Sequence, residues 1–352
     1  MRRPVDLVVI GMGSAGLTAV QVAVALGLRV VAVEADRFGG DCLWTGCVPS
    51  KALLARTAGP GPAPAREVWA AVSAAQDAIA RSDDDPEHIR AMGVDVRTGR
   101  AVITGPNEVS IDGEPLATRF VLVCTGSRPA MPDIEGLADA GTWTNERLFT
   151  EQPDPPGRLL VLGGGPVGVE LAQAFRRWGS EVVVVQRGGT LLPRDEPSLV
   201  AELTGVLEAE GIEVATGVDV SAVTRTAGGV EVRAVQHGAA MTWSVDRVLV
   251  ATGRAPVVEG LGLEEAGVEV GPDGIAVDER LRTSVPWILA AGDVTDRPRF
   301  THVAGHDAAV AVRNLALPGS SRAPAVIPWC TFTSPELAHV GMTEAEARER
   351  HR

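Results

Sequence analysis

The chain has 352 residues, 32 of them Lys or Arg and 45 Asp or Glu, for a formal net charge of −13. The length allows two to three domains with cores of their own, and the acidic balance speaks against nucleic acid or an anionic membrane surface as a partner. No run reaches the roughly eighteen uninterrupted apolar residues of a membrane span, and four scattered cysteines (Cys42, Cys47, Cys124, Cys330) cannot build a secreted disulfide scaffold.

The opening MRRPVDLVVIGMG sets positive charge before an apolar run, as a signal peptide does. No small-residue cleavage site follows, and the glycines have another use, so a cytoplasmic protein is expected. Val5 to Ile10 reads as a buried parallel strand. Gly11-x-Gly13-x-x-Gly16 follows, then a helix to about Leu26, then a strand from Arg29 to Val33 ending at Glu34. This is the βαβ dinucleotide fingerprint in full context. Gly11 allows the tight turn, Gly13 lets backbone approach a pyrophosphate, and Gly16 lets helix pack on strand. The helix N-terminus favours phosphate, and Glu34 can accept hydrogen bonds from ribose hydroxyls.

Next comes GGDCLWTGCVPSK, Gly39 to Lys51, with Cys42 and Cys47 in a loop of small residues and a helix expected from VPSKALL. The spacing alone leaves a structural staple, a metal clamp and a redox couple open. A zinc site wants CxxC and two further ligands, which Cys124 and Cys330 do not supply. Trp44, between the cysteines, needs a partner for its N–H or a place at an edge. It either shapes a substrate face or packs.

Residues 59–64 break any helix, and Glu67 to Ala80 reads as an amphipathic core-packing helix with Val68, Val72, Ala75 and Ile79 on one stripe. Phe120 to Pro129 and Arg247 to Pro256 are twin strands ending in Thr-Gly-x-x-Pro. Gly163, Gly165 and Gly168 repeat the first fingerprint 152 residues downstream. Where Glu34 closes the first copy, Gln186 and Arg187 close the second, with Arg194 beyond. An acid that would repel a 2′-phosphate is missing and guanidinium groups are near. This favours NADPH over NADH, although Gly168 weighs slightly towards NAD and the arginines could be solvated surface charges. His302 and His306 lack the glutamate of an HExxH site and read as surface or packing residues. Cys124 and Cys330 read as buried inert thiols.

Taken together, the two glycine fingerprints, Gly-Gly-x-Cys-x4-Cys-x-Pro-Ser-Lys, the Thr-Gly-x-x-Pro pair, Glu170 and ILAAGDVT resemble the pyridine nucleotide–disulfide oxidoreductases over essentially the whole chain. The nearest branch is dihydrolipoamide dehydrogenase-like and mercuric reductase-like. The resemblance implies an α/β fold with two Rossmann-like dinucleotide-binding domains, for FAD and NAD(P), plus the start of an α+β dimerisation domain. The expected divisions are 1–145 for FAD and the CxxxxC, 146–270 for NAD(P), 271–321 returning to the FAD domain, and 322–352 opening the dimerisation domain.

It also implies site residues. FAD would contact Gly11, Gly13, Gly16 and Glu34, with Asp293 on its ribityl chain. NADP(H) or NAD(H) would lie along Gly163 to Gly168. Further cofactor-binding positions are Ser14, Ala15, Gly40, Asp41, Lys51, Thr125, Gly126, Ser127, Gly165, Pro166, Val167, Gln186, Arg187 and Gly253. Cys42 would be the interchange thiol and Cys47 the thiolate against the flavin. Lys51 would lie beside the flavin and pair with Glu170. A mixed disulfide at Cys42 would be resolved by Cys47, with no metal in the scheme.

Family members build a homodimer through an interface domain that supplies a His-Pro histidine and a glutamate. Here PWCTFTSPELAHVG resembles that domain's first strands and TEAEARERHR its first helix, and His351 has no proline after it. The expectation is a chain equipped for electron input from NAD(P)H to FAD to Cys42 and Cys47. Dimerisation and turnover with a small-molecule disulfide should be impaired, as in a fragment. Other readings are a mercuric reductase, a soluble pyridine nucleotide transhydrogenase and a non-enzymatic nucleotide-binding regulator. The intact Cys42, Cys47, Lys51 and Glu170 disfavour the last.

Overall fold

The structure is a computed structural model that describes residues 5–59, 61–82 and 84–351. The basic start of the sequence, residues 1–4, lies outside the described residues, as do 60, 83 and 352. Helices are α1 (Ser14–Ala25), α2 (Gly40–Trp44), α3 (Cys47–Thr57), α4 (Ala65–Ala80), α5 (Pro86–Ala91), α6 (Asn145–Glu151), α7 (Pro166–Trp178), α8 (Pro197–Ala209), α9 (Thr301–Ala316) and α10 (Glu344–Arg350). The chain forms two compact units.

The first unit takes the chain up to Trp44, Gln76–Arg128 and Ala255–Ala325. Its parallel strands run in the order Asp95–Thr98, Val30–Glu34, Val5–Ile10, Glu114–Val123, and Ile288–Ala290 pairs with Glu114–Val123. Alternate residues of Val5–Ile10 enter different cores. Leu7 and Val9 join the cluster containing α1 and α9, while Val8 and Ile10 join the one on the opposite face. A strand covered on both faces is apolar wherever it is buried, which is why Leu7 to Ile10 do not alternate, while Asp6 sits at the half-buried start.

The second unit takes Thr45–Ala75, Pro129–Arg254 and the chain from Val326. Its parallel strands run Ile212–Thr216, Glu181–Gln186, Arg158–Leu162, Arg247–Val250, beside a three-stranded antiparallel sheet. The same division recurs. Leu159 and Val161 pack with Trp69, Phe175 and Trp178, and Leu160 and Leu162 pack towards Trp243 and Val245. Trp329–Thr331 and Leu337–His339 pair antiparallel, and α10 follows behind a Thr343/Glu346 capping box. These are the strands and helix expected from PWCTFTSPELAHVG and TEAEARERHR.

The α/β class with two Rossmann-type parallel cores agrees with the sequence reading. Three details differ. Cys42 lies in a short helix, α2, rather than in a loop. On α4, Ile79 is exposed and Gln76 takes the buried position, because the residues around it offer acceptors for an amide. Cys330 is half-buried rather than buried.

The duplicated turns share one steric cause. A Cβ on Gly11 would stand 2.5 Å from the Cys124 carbonyl oxygen, and one on Gly163 would stand 2.3 Å from that of Ala251. Each turn therefore lies directly on the end of the strand that precedes Thr-Gly-x-x-Pro. In the first unit α2 is pinned to the same turn. Gly39 N–H donates to the Met12 carbonyl at 2.9 Å. Gly40, with φ +58°, has no room for a methyl, which would come 2.7 Å from the Gly13 Cα. Gly40→Ala combines that clash with a left-handed backbone costing about 1–2 kcal/mol. It should lower the melting temperature by roughly 2–8 °C. A calorimetric scan matching the wild type would contradict this.

Candidate active site

In the first unit the N-terminus of α1 is capped by Gly13 with no side-chain acceptor, and no acid stands in its first turn. Its N–H groups and dipole are left for an anion. At the end of Val30–Glu34, the Glu34 carboxylate is held by two backbone donors, Met12 N–H at 2.7 Å and Asp36 N–H at 2.8 Å. Asp293 accepts from the Ser127 hydroxyl at 2.8 Å, and the Thr125 hydroxyl donates to the Val257 carbonyl at 2.7 Å. An uncapped helix end, glycine backbone that a Cβ would fill, and a fixed acid at the strand end fit the diphosphate and ribose of a dinucleotide.

The second unit repeats this at the level of single hydrogen bonds. Gly165 caps α7 with no side-chain acceptor, Pro166 occupies its first turn, and that turn has no acid. The Gln186 Oε1 accepts from Gly164 N–H at 3.1 Å, twenty-two residues back, as Glu34 accepts from Met12. Gln186 keeps the contact and drops the charge. Val167, Arg187 and Arg194 are exposed around it.

The cysteine segment spans α2 and α3. Cys42 is half-buried in α2; Cys47 is exposed and opens α3 behind Gly46. One turn further, Lys51 Nζ meets Glu170 Oε2 at 2.7 Å, with the lysine side chain 33 % exposed and the glutamate 4 %. The second oxygen of Glu170 accepts from Phe332 N–H at 2.9 Å, and the Lys51 ammonium lies 4.5 Å from the Phe332 ring centroid. The pairing implied for Lys51 and Glu170 is therefore present.

Lys51 is also the chain's single lysine, every other long cationic side chain being arginine. That signal was available in the sequence. Arginine's planar fork and lysine's compact ammonium are not interchangeable at a single-oxygen contact. Phe332 carried no such signal, since its part is played by a backbone N–H and a ring face. Beside this group, burial pushes the Cys330 thiol above its ordinary range, and the carboxylates of Glu336 and Glu170 add to that against Lys51. Burial alone pushes the Cys124 thiol up strongly, as an inert thiol requires.

On α7, Glu170, Gln173 and Arg177 form one helical stripe. Gln173 is buried and exchanges two hydrogen bonds with the Ser334 backbone, at 2.8 and 2.9 Å. Arg177 pairs with Glu210 at 2.7 Å and also reaches the Ser334 carbonyl. His302 and His306 are exposed on α9. Among the described residues, no group of three or more His, Cys, Asp or Glu is placed to hold a metal, and no helix is long and apolar enough to cross a membrane.

Residues 5–308 match the family model described as pyridine nucleotide-disulphide oxidoreductase. The chain is 38 % identical to a glutathione reductase of Burkholderia cepacia, over 98 % of this chain and 79 % of that one. It is 36 % identical to a dihydrolipoyl dehydrogenase of Thermus scotoductus, over 98 % of this chain and 77 % of that one. A solved HOCl-induced flavoprotein disulfide reductase, RclA from Escherichia coli, superposes with a TM-score of 0.88 at 28 % identity, covering 98 % of this chain and 79 % of that one.

A lone lysine makes its environment directly measurable. Amine acetylation of the native chain should modify Lys51 slowly, because Glu170 holds its ammonium. Glu170→Gln should raise the rate by about tenfold, the effect of losing roughly 1.4 kcal/mol of charge-assisted bonding. Peptide mass spectrometry separates Lys51 from the α-amine. Equal rates in the two proteins would mean that the ion pair does not hold Lys51.

Proposed function

The chain belongs to the pyridine nucleotide-disulphide oxidoreductase family, and from that membership we propose that it passes two electrons from NAD(P)H, by way of FAD, to a Cys42–Cys47 disulfide and on to a small-molecule disulfide. The balance is one NAD(P)H, one proton and one disulfide giving NAD(P)⁺ and two thiols. Members of the family are FAD-dependent oxidoreductases with NAD(P)H as donor. The observation that carries the reading for this chain is the Lys51–Glu170 pair one helical turn beyond Cys47, built from its single lysine.

FAD supplies, when bound, a two-electron acceptor between a hydride donor and sulfur. Gly11, Gly13, Ser14, Ala15, Gly16, Gly40, Asp41 and Thr125–Ser127 are read as its contacts, with Glu34 on ribose and Asp293 on the ribityl chain. Gly163, Gly165–Gly168, Gln186, Arg187 and Gly253 are read as the pyridine nucleotide contacts. Residues 1–145 and 271–321 would make the FAD part and 146–270 the coenzyme part. Cys42 as thiolate attacks one substrate sulfur and expels the other as a thiol. Cys47 then attacks Cys42 Sγ, releases the second thiol and closes the protein disulfide. Cys47 opens α3, where the helix N-terminus favours negative charge. Lys51, fixed by Glu170, keeps a positive charge one turn along the same helix.

A cytoplasmic setting belongs to the same reading, as does a substrate other than nucleic acid, which the net charge of −13 supports. Exposed Phe332, Val340 and Met342 are apolar surface that the family's homodimer would cover, and dimerisation of this chain is read as impaired.

Steady-state assays of the FAD-loaded chain with lipoamide and glutathione disulfide test the reaction. Cys42→Ser should abolish disulfide turnover while NAD(P)H still bleaches the flavin; turnover at the wild-type rate in that variant would refute the assigned role. For coenzyme choice, Gln186→Glu places an acid where a 2′-phosphate would lie. It should lower kcat/KM for NADPH by roughly tenfold, about 1.4 kcal/mol, and leave that for NADH level or higher. A parallel fall for both coenzymes would contradict the NADPH preference.

A further inference from the structure

Cys42 lies in a helix of five residues, and the last carbonyls of any helix have no partner within it. Here side chains meet them. Gln76, 6 % exposed on α4, donates through Nε2 to the Trp44 carbonyl at 2.8 Å and the Leu43 carbonyl at 3.3 Å. The next carbonyl, that of Thr45, accepts from Nδ2 of Asn145, itself 7 % exposed, at 2.9 Å. Trp44 completes the arrangement. Its indole N–H donates back across α2 to the Phe38 carbonyl at 2.6 Å, and the Arg37 guanidinium lies 4.7 Å over its ring. Two consecutive carbonyls between the cysteines, those of Leu43 and Trp44, are therefore capped by one buried carboxamide. The tryptophan among them is tied to the backbone that precedes the helix.

We propose that Gln76 and Trp44 are positioning residues for the Cys42–Cys47 couple, holding residues 43 and 44 in one conformation whether the disulfide is open or closed. The inference rests on the redox reading given above. When the disulfide is closed, a covalent bond fixes the two cysteines. When two electrons and two protons have opened it, the intervening backbone keeps the thiols placed for reclosure. A backbone held by buried amide donors raises their effective concentration and favours the disulfide. A buried glutamine needs acceptors, and the acceptors Gln76 has are the carbonyls that end α2.

The test is a redox equilibrium. The FAD-loaded chain is incubated with graded ratios of reduced and oxidised dithiothreitol, and the thiol fraction at Cys42 and Cys47 is read by alkylation and mass spectrometry. The reductant closes its own S–S bond, giving up two electrons and two protons, and leaves the protein pair as thiols. Gln76→Met keeps chain length and loses the donor; Trp44→Phe keeps a ring for Arg37 and loses the N–H. Each should shift the equilibrium towards the dithiol by about tenfold, a potential about 30 mV less negative. A loss of general stability without loss of the clamp would leave this potential unmoved. If Gln76→Met does not fold, Trp44→Phe decides alone. Variants that titrate with the wild-type midpoint overturn the clamp and leave the couple standing. A wild type that forms no Cys42–Cys47 disulfide overturns the couple and the clamp together.

Discussion

A carboxylate with 4 % of its side chain exposed must have partners for both oxygens or lose its charge, and Glu170 organises the second unit around that need. One oxygen takes the only lysine in the chain; the other takes a backbone N–H from the segment after Trp329–Thr331. The same helix face continues with Gln173 and Arg177, which bind the Ser334 backbone. One stripe of α7 thus fixes the helix that Cys47 opens and seats the hairpin of Trp329–Thr331 and Leu337–His339. A hydrophobic replacement of Glu170 would strand the Phe332 N–H as well as the ammonium, so the pair cannot be exchanged one residue at a time without cost.

The two glycine turns are copies that have diverged where ligand chemistry differs. Both retain the first glycine against a strand-end carbonyl and the acceptor that reaches back to a backbone N–H. The position after the first glycine is a buried Met12 in one copy. In the other it is Gly164, whose Cβ would meet Leu191 at 2.6 Å. The acceptor is a carboxylate in one and a carboxamide in the other. The hydrogen bond is a requirement of the turn; the charge is open to selection by what the turn binds.

What was legible in the sequence follows from how local each cause is. The glycine spacing, the count from Gly11 to Glu34 and the uninterrupted apolar strands report sterics and burial within one βαβ unit, so they could be read directly. Lys51 and Glu170 lie far apart in sequence and were paired only through the family resemblance, although the lysine's solitude pointed to it. Gln76 was hidden inside a helix whose apolar stripe was assigned to Ile79. Its partners lie some thirty residues away, and backbone carbonyls leave no mark on composition. Asn145 and the Phe332 N–H were hidden for the same reason. Trp44, which the sequence left between two roles, proves to be tied to Phe38 and Arg37.

The most direct test of an electron path from pyridine nucleotide to Cys42 and Cys47 is anaerobic titration of the FAD-loaded, oxidised chain with NADPH, counting thiols at each cysteine by mass spectrometry. Stoichiometric NADPH should create thiols at Cys42 and Cys47 together and leave Cys124 and Cys330 unchanged. Flavin bleaching with no new thiol at either residue would contradict the path.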